Sequence, residues 1–299
     1  MSKTKLHKNA IALLITLFFI IAITLSLGVA LKNVKESSQA FNNESFMFQS
    51  SMILDDVLNI LNTNKELNNV KTAEDFRIFL EDYSNIFFQT NGIKVALEIK
   101  SARSKINPNT LTTAQRRESF KNFLIANMIN EEYGDMLFDI MSGIKEDMSY
   151  NTDIFTQKPY LFRDYVVSYD HLNEVNDSYL KKFHDNNLKN LKIDEVFFIS
   201  KDKNTSIDLN YASISTWEIL LGCDKSRATD LVNGEGTYKK LDDLSLNSEE
   251  KEMLLRFQTK FFEPYLDVKI DIIQNNIKAS IKFEYNIKSK RGSNFAFEV

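Results

Sequence analysis

The fold of this chain is decided by residues 266–287, which read LDVKIDIIQNNIKASIKFEYNI. Apolar residues alternate with polar ones on both sides of Asn275 and Asn276, and this period of two is typical of strands with one buried face. Asparagine tolerates the positive φ of a tight turn, so the two runs are predicted to form a hairpin. A basic loop over 288–294 and a last short strand over 295–299 are expected to follow.

The same alternation occurs far upstream, over residues 93–99, and we expect these four strands to form one antiparallel sheet. The chain between them has apolar residues spaced three and four apart, as on one face of a helix. The clearest stripes are Phe120, Phe123, Leu124 and Met128, and then Met136, Leu137, Ile140, Met141 and Ile144. The predicted fold class is α+β, with helices segregated from an antiparallel sheet.

The order of these patterns places the helical region inside the sheet-forming region. We therefore predict a discontinuous α/β domain of residues 63–104 and 259–299, interrupted by a mostly helical insertion of residues 105–258. Within the insertion, the short apolar runs 163–169 and 195–200 fit either strands or buried connections, because periodicity does not distinguish the two.

The N-terminal part of the chain predicts a membrane segment. Residues 10–31 carry no charge, and about 20 apolar residues suffice to cross a bilayer. Lys3, Lys5 and Lys8 precede this run, so the N-terminus is expected in the cytoplasm and the bulk of the chain beyond the membrane. Three interpretations stay open: a stable anchor, a secretory signal cut near Ser26 to Gly28, and a prepilin-type leader. The length of the run disfavours the secretory signal.

A helical pattern continues beyond this segment. Leu54, Val57, Leu58 and Leu61 follow the i, i+3, i+4, i+7 spacing of one helix face. We predict a long helix over 11–62, with residues 11–31 in the membrane and the apolar stripe packed on the exported domain. An anchor followed by a separate helix is the alternative.

Composition excludes several classes of protein. The 299 residues include 37 Lys and Arg against 41 Asp and Glu, a net charge of −4 that disfavours a protein coating nucleic acid. Cys223 is the single cysteine, which excludes an intrachain disulfide or a cysteine-rich metal site. His171 and His184 lack the spacing of a zinc peptidase, and no serine-hydrolase or phosphate-loop motif occurs. We expect no enzyme and assign no catalytic, cofactor-binding or metal-binding residue.

The most informative motif reads IDLNYASISTWEILLGCDKSRATDLVNGEGTYKKLDDLS over residues 207–245. It predicts a helix that ends at Gly222, because glycine tolerates a left-handed C-terminal position, and a second helix from Lys225 to Val232. The unit over 207–246 resembles a helix-hairpin-helix motif, in which Ala228 takes the close-packing position and Asp224 replaces the second glycine.

Such a hairpin has two uses. In nucleic-acid-binding hairpins, backbone N–H groups approach a phosphate, but the carboxylate of Asp224 would repel that phosphate. We therefore favour a structural role for the hairpin. Nucleic-acid binding stays open as the alternative, because four basic residues flank the turn: Lys225, Arg227, Lys239 and Lys240.

The combination of membrane segment, interrupted α/β domain, helical insertion and hairpin resembles the K-type minor pseudopilins, the protein K family of type II secretion systems. Residues 8–14 are similar to the family's processing site with Ala10 in the place of glycine, and residues 105–111 and 207–213 are similar to its Asn-containing segments. The resemblance implies cleavage of leader 1–10 between Ala10 and Ile11. It also implies that Ile15 is the fifth mature residue, where most pilin-like subunits carry Glu.

That glutamate neutralises the N-terminal amine of the preceding subunit, and a tip subunit has no predecessor, so its absence fits the K type. The resemblance implies a minor pseudopilin at the tip of the pseudopilus, which initiates or caps the fibre. It implies a single-pass inner-membrane protein with a periplasmic bulk, whose partners are other minor pseudopilins and platform proteins of the inner membrane. Nucleic acid is not expected among the partners.

The resemblance also implies calcium as a ligand, although residues 138–147 keep only part of the family's acidic stretch, and we assign no calcium ligand. Glu146, Asp147 and Asp153 are expected on a solvated turn. The alternative function is a membrane-anchored DNA-binding protein of a competence or type IV pilus apparatus that uses the hairpin.

Overall fold

A computed structural model describes residues 38–90, 93–274 and 277–298. The chain divides into two compact units, Met1–Leu58 and Asn59–Val299. The predicted leader 1–10, the membrane segment 11–31 and the turn at Asn275 and Asn276 lie outside the described residues. Within the described ranges, the helices are too short or too polar to qualify as membrane spans.

Helix α1, Ser38–Thr63, extends from the first unit into the second. In the first unit Val57 is buried and Leu54 is half-buried, whereas Phe48 and Met52 are exposed. In the second unit Leu61 is buried. The helix predicted to reach residue 62 therefore ends at Thr63, and its extension upstream to residue 11 stays a prediction.

The second unit contains a five-stranded antiparallel sheet with the order β1-β2-β5-β6-β7. A separate parallel pair is formed by β3 and β4. The strands are β1 (Asn85–Thr90), β2 (Ile93–Ser101), β3 (Ile207–Asp208), β4 (Thr259–Lys260), β5 (Tyr265–Gln274), β6 (Ile277–Asn286) and β7 (Arg291–Glu298). The expected α+β class is confirmed, and so are the strands over 93–99 and on both sides of the hairpin turn.

Two details of the sheet differ from the prediction. Strand β1 was not expected, because its sequence NIFFQT carries three consecutive apolar residues and lacks the alternation of a half-buried strand. The loop predicted over 288–294 is wrong beyond residue 290, since β7 begins at Arg291. A β-bulge allows the strand to continue through the predicted loop. The register shifts opposite Phe283, and Asn294 takes a φ of 55°.

One face of the sheet is apolar and buried. The pairing register aligns its residues across three strands: Val95, Leu97, Ile99, Leu266, Val268, Ile270, Ile272, Ala279, Ile281, Phe283 and Tyr285. Because Tyr285 is buried, its hydroxyl needs a partner, and it donates to Asn62 Oδ1 at 2.7 Å. This hydrogen bond attaches the last turn of α1 to the sheet.

The remaining helices belong to the second unit. They are α2 (Lys65–Asn69), α3 (Ala73–Tyr83), α4 (Ala114–Ala126), α5 (Glu132–Ile140), α6 (Ile154–Gln157), α7 (Tyr169–Phe183), α8 (Asn186–Leu191), α9 (Ile193–Val196), α10 (Ile214–Leu221), α11 (Lys225–Val232) and α12 (Ser248–Leu254). Helices α4 to α12 lie between β2 and β5 in the chain and share one core built around Phe120, Tyr133, Tyr179, Phe197 and Trp217. The boundaries 105 and 258 of the insertion stay a prediction.

The helical stripes are confirmed only in part. Met128 and Ile144 lie beyond the ends of α4 and α5 and are about four-fifths exposed. The helix α4 ends because Asn127 caps it and Met128 turns to a φ of 57°. Neither undecided run is a strand of the sheets: in 163–169 only Val166 is buried, and in 195–200 Phe197 is buried and forms an isolated parallel bridge with Ile106.

A buried ion pair connects the sheet to the chain that leaves it. The guanidinium of Arg103 binds the carboxylate of Glu284 with two nitrogens, and the Nη2–Oε1 distance is 2.9 Å. The two side chains are only 6% and 12% exposed. The guanidinium also lies 4.0 Å from the ring centroid of Tyr265 and 4.8 Å from that of Phe198.

We expect Glu284→Gln to lower the free energy of unfolding by about 3–5 kcal/mol, because it leaves the buried Arg103 charge without its counter-charge. Urea denaturation followed by circular dichroism measures this loss. The matched control is Lys203→Ala, which removes an exposed pair with Asp164 and should cost less than about 1 kcal/mol. Equal losses in the two variants would contradict the prediction.

Candidate functional site

The helix-hairpin-helix-like unit has the two helices that the sequence predicts. Helix α10 ends at Gly222, whose φ of 61° lies in the left-handed region that favours glycine. A Cβ atom added to Gly222 would lie 2.8 Å from Met253 Cε, the end of a flexible side chain that can move aside. Helix α11 follows at once, and Ala228 on it is fully buried. Ala228 thus packs one side of α11 on the helical core, whereas Gly222 and Asp224 in the turn are exposed.

The N-terminus of α11 is already capped by the chain itself. Asp224 Oδ1 accepts a hydrogen bond from Arg227 N at 2.8 Å, which is a bond that a phosphate would need in a nucleic-acid-binding hairpin. Arg227 is engaged as well: its Nε donates to Glu250 Oε1 at 3.0 Å, and Glu250 raises the pKa of Arg227. Its Nη2 donates to the carbonyl oxygen of Leu244 at 3.1 Å. These contacts favour the structural role.

Two of the lysines that flank the turn also have acidic neighbours. Lys239 Nζ lies 3.6 Å from Glu74 Oε2, and Lys240 Nζ lies 3.7 Å from Asp242 Oδ2. Cys223 in the turn is half-buried, and burial raises the pKa of its thiol to about 11. This pKa fits the interpretation of Cys223 as a small packed residue.

The hairpin is joined to the sheet through Asn210. Its Nδ2 donates to the carbonyl oxygens of Tyr238 at 2.9 Å and Phe261 at 2.5 Å, and its Oδ1 accepts from Tyr238 N at 2.8 Å. Asn210 is 2% exposed, so each of these bonds replaces one to water. The side chain thereby connects the segment after the hairpin to the segment that precedes β5.

Asp208 makes a second buried connection. Its carboxylate accepts from Asn210 N at 3.0 Å and from Glu263 N at 2.8 Å, and its own N–H donates to Arg103 O. Asp208 is fully buried. Burial raises its pKa to about 7, and the two N–H donors act in the opposite direction. Asp208 thus joins the chain on both sides of the helical region.

Asp139 bears on the calcium that the resemblance implies. It is fully buried and accepts four hydrogen bonds, two from Asn151 and two from Thr152. Its oxygens are therefore used to close the loop after α5. Glu146, Asp147 and Asp153 are exposed. In residues 38–90, 93–274 and 277–298, His, Cys, Asp and Glu form no group of three that could hold a metal, and calcium binding stays an expectation from the resemblance.

The two histidines lie at opposite ends of one helix, α7. His171 lies on α7, where it is buried, and burial lowers its pKa. His184 caps the C-terminal end of the same helix with a φ of 54°.

The structure brings some predicted site residues together and leaves others undescribed. Gly222, Asp224 and Ala228 form the compact turn between α10 and α11. Ala10, Ile11 and Ile15 lie outside the described residues, so their assigned roles stay predictions. The sequence did not reveal Arg103, which connects the sheet to the chain that leaves it. Its partner Glu284 is 181 positions away, and no local pattern marks the pair.

The chain was compared with known families and structures. No family model and no curated protein matches the sequence. A solved structure that matches is a chain of the GspK-GspI-GspJ complex from the type 2 secretion system of enterotoxigenic Escherichia coli. The match has a TM-score of 0.61 and 13% sequence identity, and it covers 88% of this chain and 99% of that chain. It shows a pseudopilin-like fold of mixed helices and antiparallel sheet.

The stability of the protein should depend on pH through Asp208. Its pKa is raised from 3.8 to about 7, so the folded state binds this proton more tightly and stability decreases as pH rises from about 4 to 7. The loss amounts to up to about 4 kcal/mol. We expect Asp208→Asn to remove this part of the pH dependence while lowering stability at pH 4, because its amide nitrogen faces a backbone N–H. Urea denaturation across this range measures both, and identical pH profiles would refute the prediction.

We expect no salt-dependent retention of the detergent-solubilised full chain on immobilised DNA, because the Asp224 carboxylate would repel phosphate and Glu250 already binds the Arg227 guanidinium. Binding to phosphates weakens steeply with salt, so the assay compares low and moderate salt concentrations. The control is the double variant Lys239→Ala and Lys240→Ala. Retention that falls with salt and is lost in this variant would establish the DNA-binding alternative instead.

Proposed function

We propose that this chain is a K-type minor pseudopilin, placed at the tip of a type II secretion pseudopilus, where it initiates or caps the fibre. The observation that carries the proposal is the insertion of helices α4 to α12 between the hydrogen-bonded neighbours β2 and β5 of a pilin-like sheet. The fold similarity supports it, because the match extends over 88% of the chain and thus includes much of the helical region as well.

The position of the inserted region explains how a cap would work. Ser101 at the end of β2 lies opposite Leu266 near the start of β5, so the chain leaves and re-enters the sheet at one end. The Arg103–Glu284 ion pair and the bonds of Asp208 hold the inserted region at that end. A bulky region fixed there would block the addition of a further subunit. Such a subunit can therefore occupy only the end of a fibre.

The N-terminal sequence supplies the second part of the proposal. Leader 1–10 is cut between Ala10 and Ile11, and residues 11–31 anchor the chain in the inner membrane and pack with equivalent helices. The bulk of the chain lies in the periplasm, and Ile15 in place of glutamate fits a subunit without a predecessor. The support for this part is the charge and hydropathy pattern alone.

The partners follow from the same proposal. The similar structure is a complex with GspI and GspJ, so we infer that other minor pseudopilins bind this chain. Proteins of the inner-membrane platform would bind the anchored form. We assign the protein no catalytic reaction and no cofactor, because its role is assembly.

Electron microscopy of pseudopili assembled with an epitope-tagged full chain tests the tip position. We expect immunogold label at one fibre end only, and N-terminal sequencing of the membrane-extracted chain should begin at Ile11. A variant that replaces residues 102–265 by an Asn-Gly turn, joining the paired residues Ser101 and Leu266, should also label the fibre shaft. Label along the shaft with the wild-type chain would refute the tip position, whether or not the variant folds.

A further inference from the structure

The two edges of the sheet differ in how they are protected. Edge strand β7 carries Arg291 and Glu298 at its ends and a bulge at Asn294, which are features that prevent pairing with another chain. Edge strand β1 has none of them. Its sequence NIFFQT has no charge and no proline, and it pairs with β2 without interruption. Within the described residues, β1 pairs with no strand on its other side.

The free side of β1 exposes both backbone groups and aromatic rings. Ser84 O accepts from Ile99 N at 2.8 Å, so Ser84 faces β2. Backbone direction alternates along an antiparallel strand, and the residues that present N–H and C=O to the free side are therefore Asn85, Phe87 and Gln89. Phe87 is 77% exposed and Phe88 43% exposed. The strand thus offers a regular, apolar and unpaired edge.

We propose that β1 pairs antiparallel with β1 of a second copy of this chain, with Phe87 on the two-fold axis. In this register Asn85 lies opposite Gln89 of the second copy, and the two Phe87 residues lie opposite each other. Every edge-facing residue meets an edge-facing residue, and each such pair exchanges two hydrogen bonds. A shift by two residues would leave Asn85 or Gln89 beyond the end of the other strand. The register is therefore specified by the backbone.

The side chains of β1 favour a second copy as the occupant. The sequence is chemically symmetric about Phe87, with Ile86 and Phe88 next to it and amide side chains at Asn85 and Gln89. Ile86 thus meets Phe88 of the second copy on the apolar face, and amide meets amide. Apolar cross-strand pairs of this kind stabilise a sheet.

The charges beside the strand are complementary in the same arrangement. Asp82 precedes β1, and Lys94 on β2 lies opposite Gln89. Both are exposed, and neither forms an ion pair within the described part of the chain. An antiparallel second copy brings the Asn85 end of each β1, which follows Asp82 of α3, toward the Gln89 end of the other, which lies beside Lys94. The contact is isologous, so it closes at a dimer and does not propagate. This proposed dimer contact does not depend on the proposed function.

Cysteine cross-linking of the full chain in detergent tests the register, with Cys223→Ala as the background. Residues opposite each other in a hydrogen-bonded pair are about 5.5 Å apart at Cα, which a disulfide spans, so Phe87→Cys should cross-link under mild oxidation. The matched control is Phe88→Cys, whose two copies lie diagonally at about 7–8 Å and should not cross-link. Cross-linking of both to the same extent would overturn the register.

The dimer itself is tested by sedimentation of the unmodified full chain over a range of concentrations. We expect a monomer–dimer equilibrium that Phe87→Lys weakens by about tenfold or more, because two like charges meet at the axis. Phe87 is mostly exposed, so this variant should fold, and circular dichroism checks that it does. A wild-type chain that stays monomeric at every concentration would overturn the proposal.

Discussion

The pairing of β2 with β5 is the constraint on which the rest of the structure depends. These strands are adjacent from Ile93 opposite Gln274 to Ser101 opposite Leu266, although the helical region separates them in the chain. Because neighbouring antiparallel strands begin and end together, the intervening chain must leave and return at one end of the sheet. The location of the helical region is thus a consequence of the sheet register.

Buried polar groups hold that junction. Arg103 and Glu284 form an ion pair inside a mostly apolar surrounding, and Asp208 and Asn210 satisfy backbone groups on both sides of the helical region. Removing one partner of such a group costs more than the pair contributes, because the other is left buried without a partner. The junction therefore specifies one arrangement of the helices against the sheet.

The hairpin shows how one motif can serve packing instead of binding. Gly222 ends α10 and Ala228 is buried on α11, while Asp224 caps α11 and Glu250 binds Arg227. The N–H group and the guanidinium of Arg227, which could reach a phosphate, are thereby bound within the protein.

The sequence by itself determined the features that depend on neighbouring residues. The strands near 93–99 and 266–287 were readable from their period of two, and α10 and α11 from Gly222 and the apolar spacing around it. Strand β1 was not readable, because an edge strand with both faces partly exposed needs no alternation. The early end of α4, which leaves Met128 exposed, also carried no readable signal.

Only the tertiary structure decided which distant groups meet. Arg103 and Glu284, or Asp208 and Glu263, are joined because the sheet register brings their segments together, and no local pattern encodes such a register. The candidate site also depends on distant groups. The hairpin was visible in the sequence, but the partners of the Arg227 guanidinium were not, because Glu250 and the carbonyl of Leu244 come from later segments of the chain. Local propensity acts over a few residues, whereas the contacts that define the second unit join segments far apart in the chain.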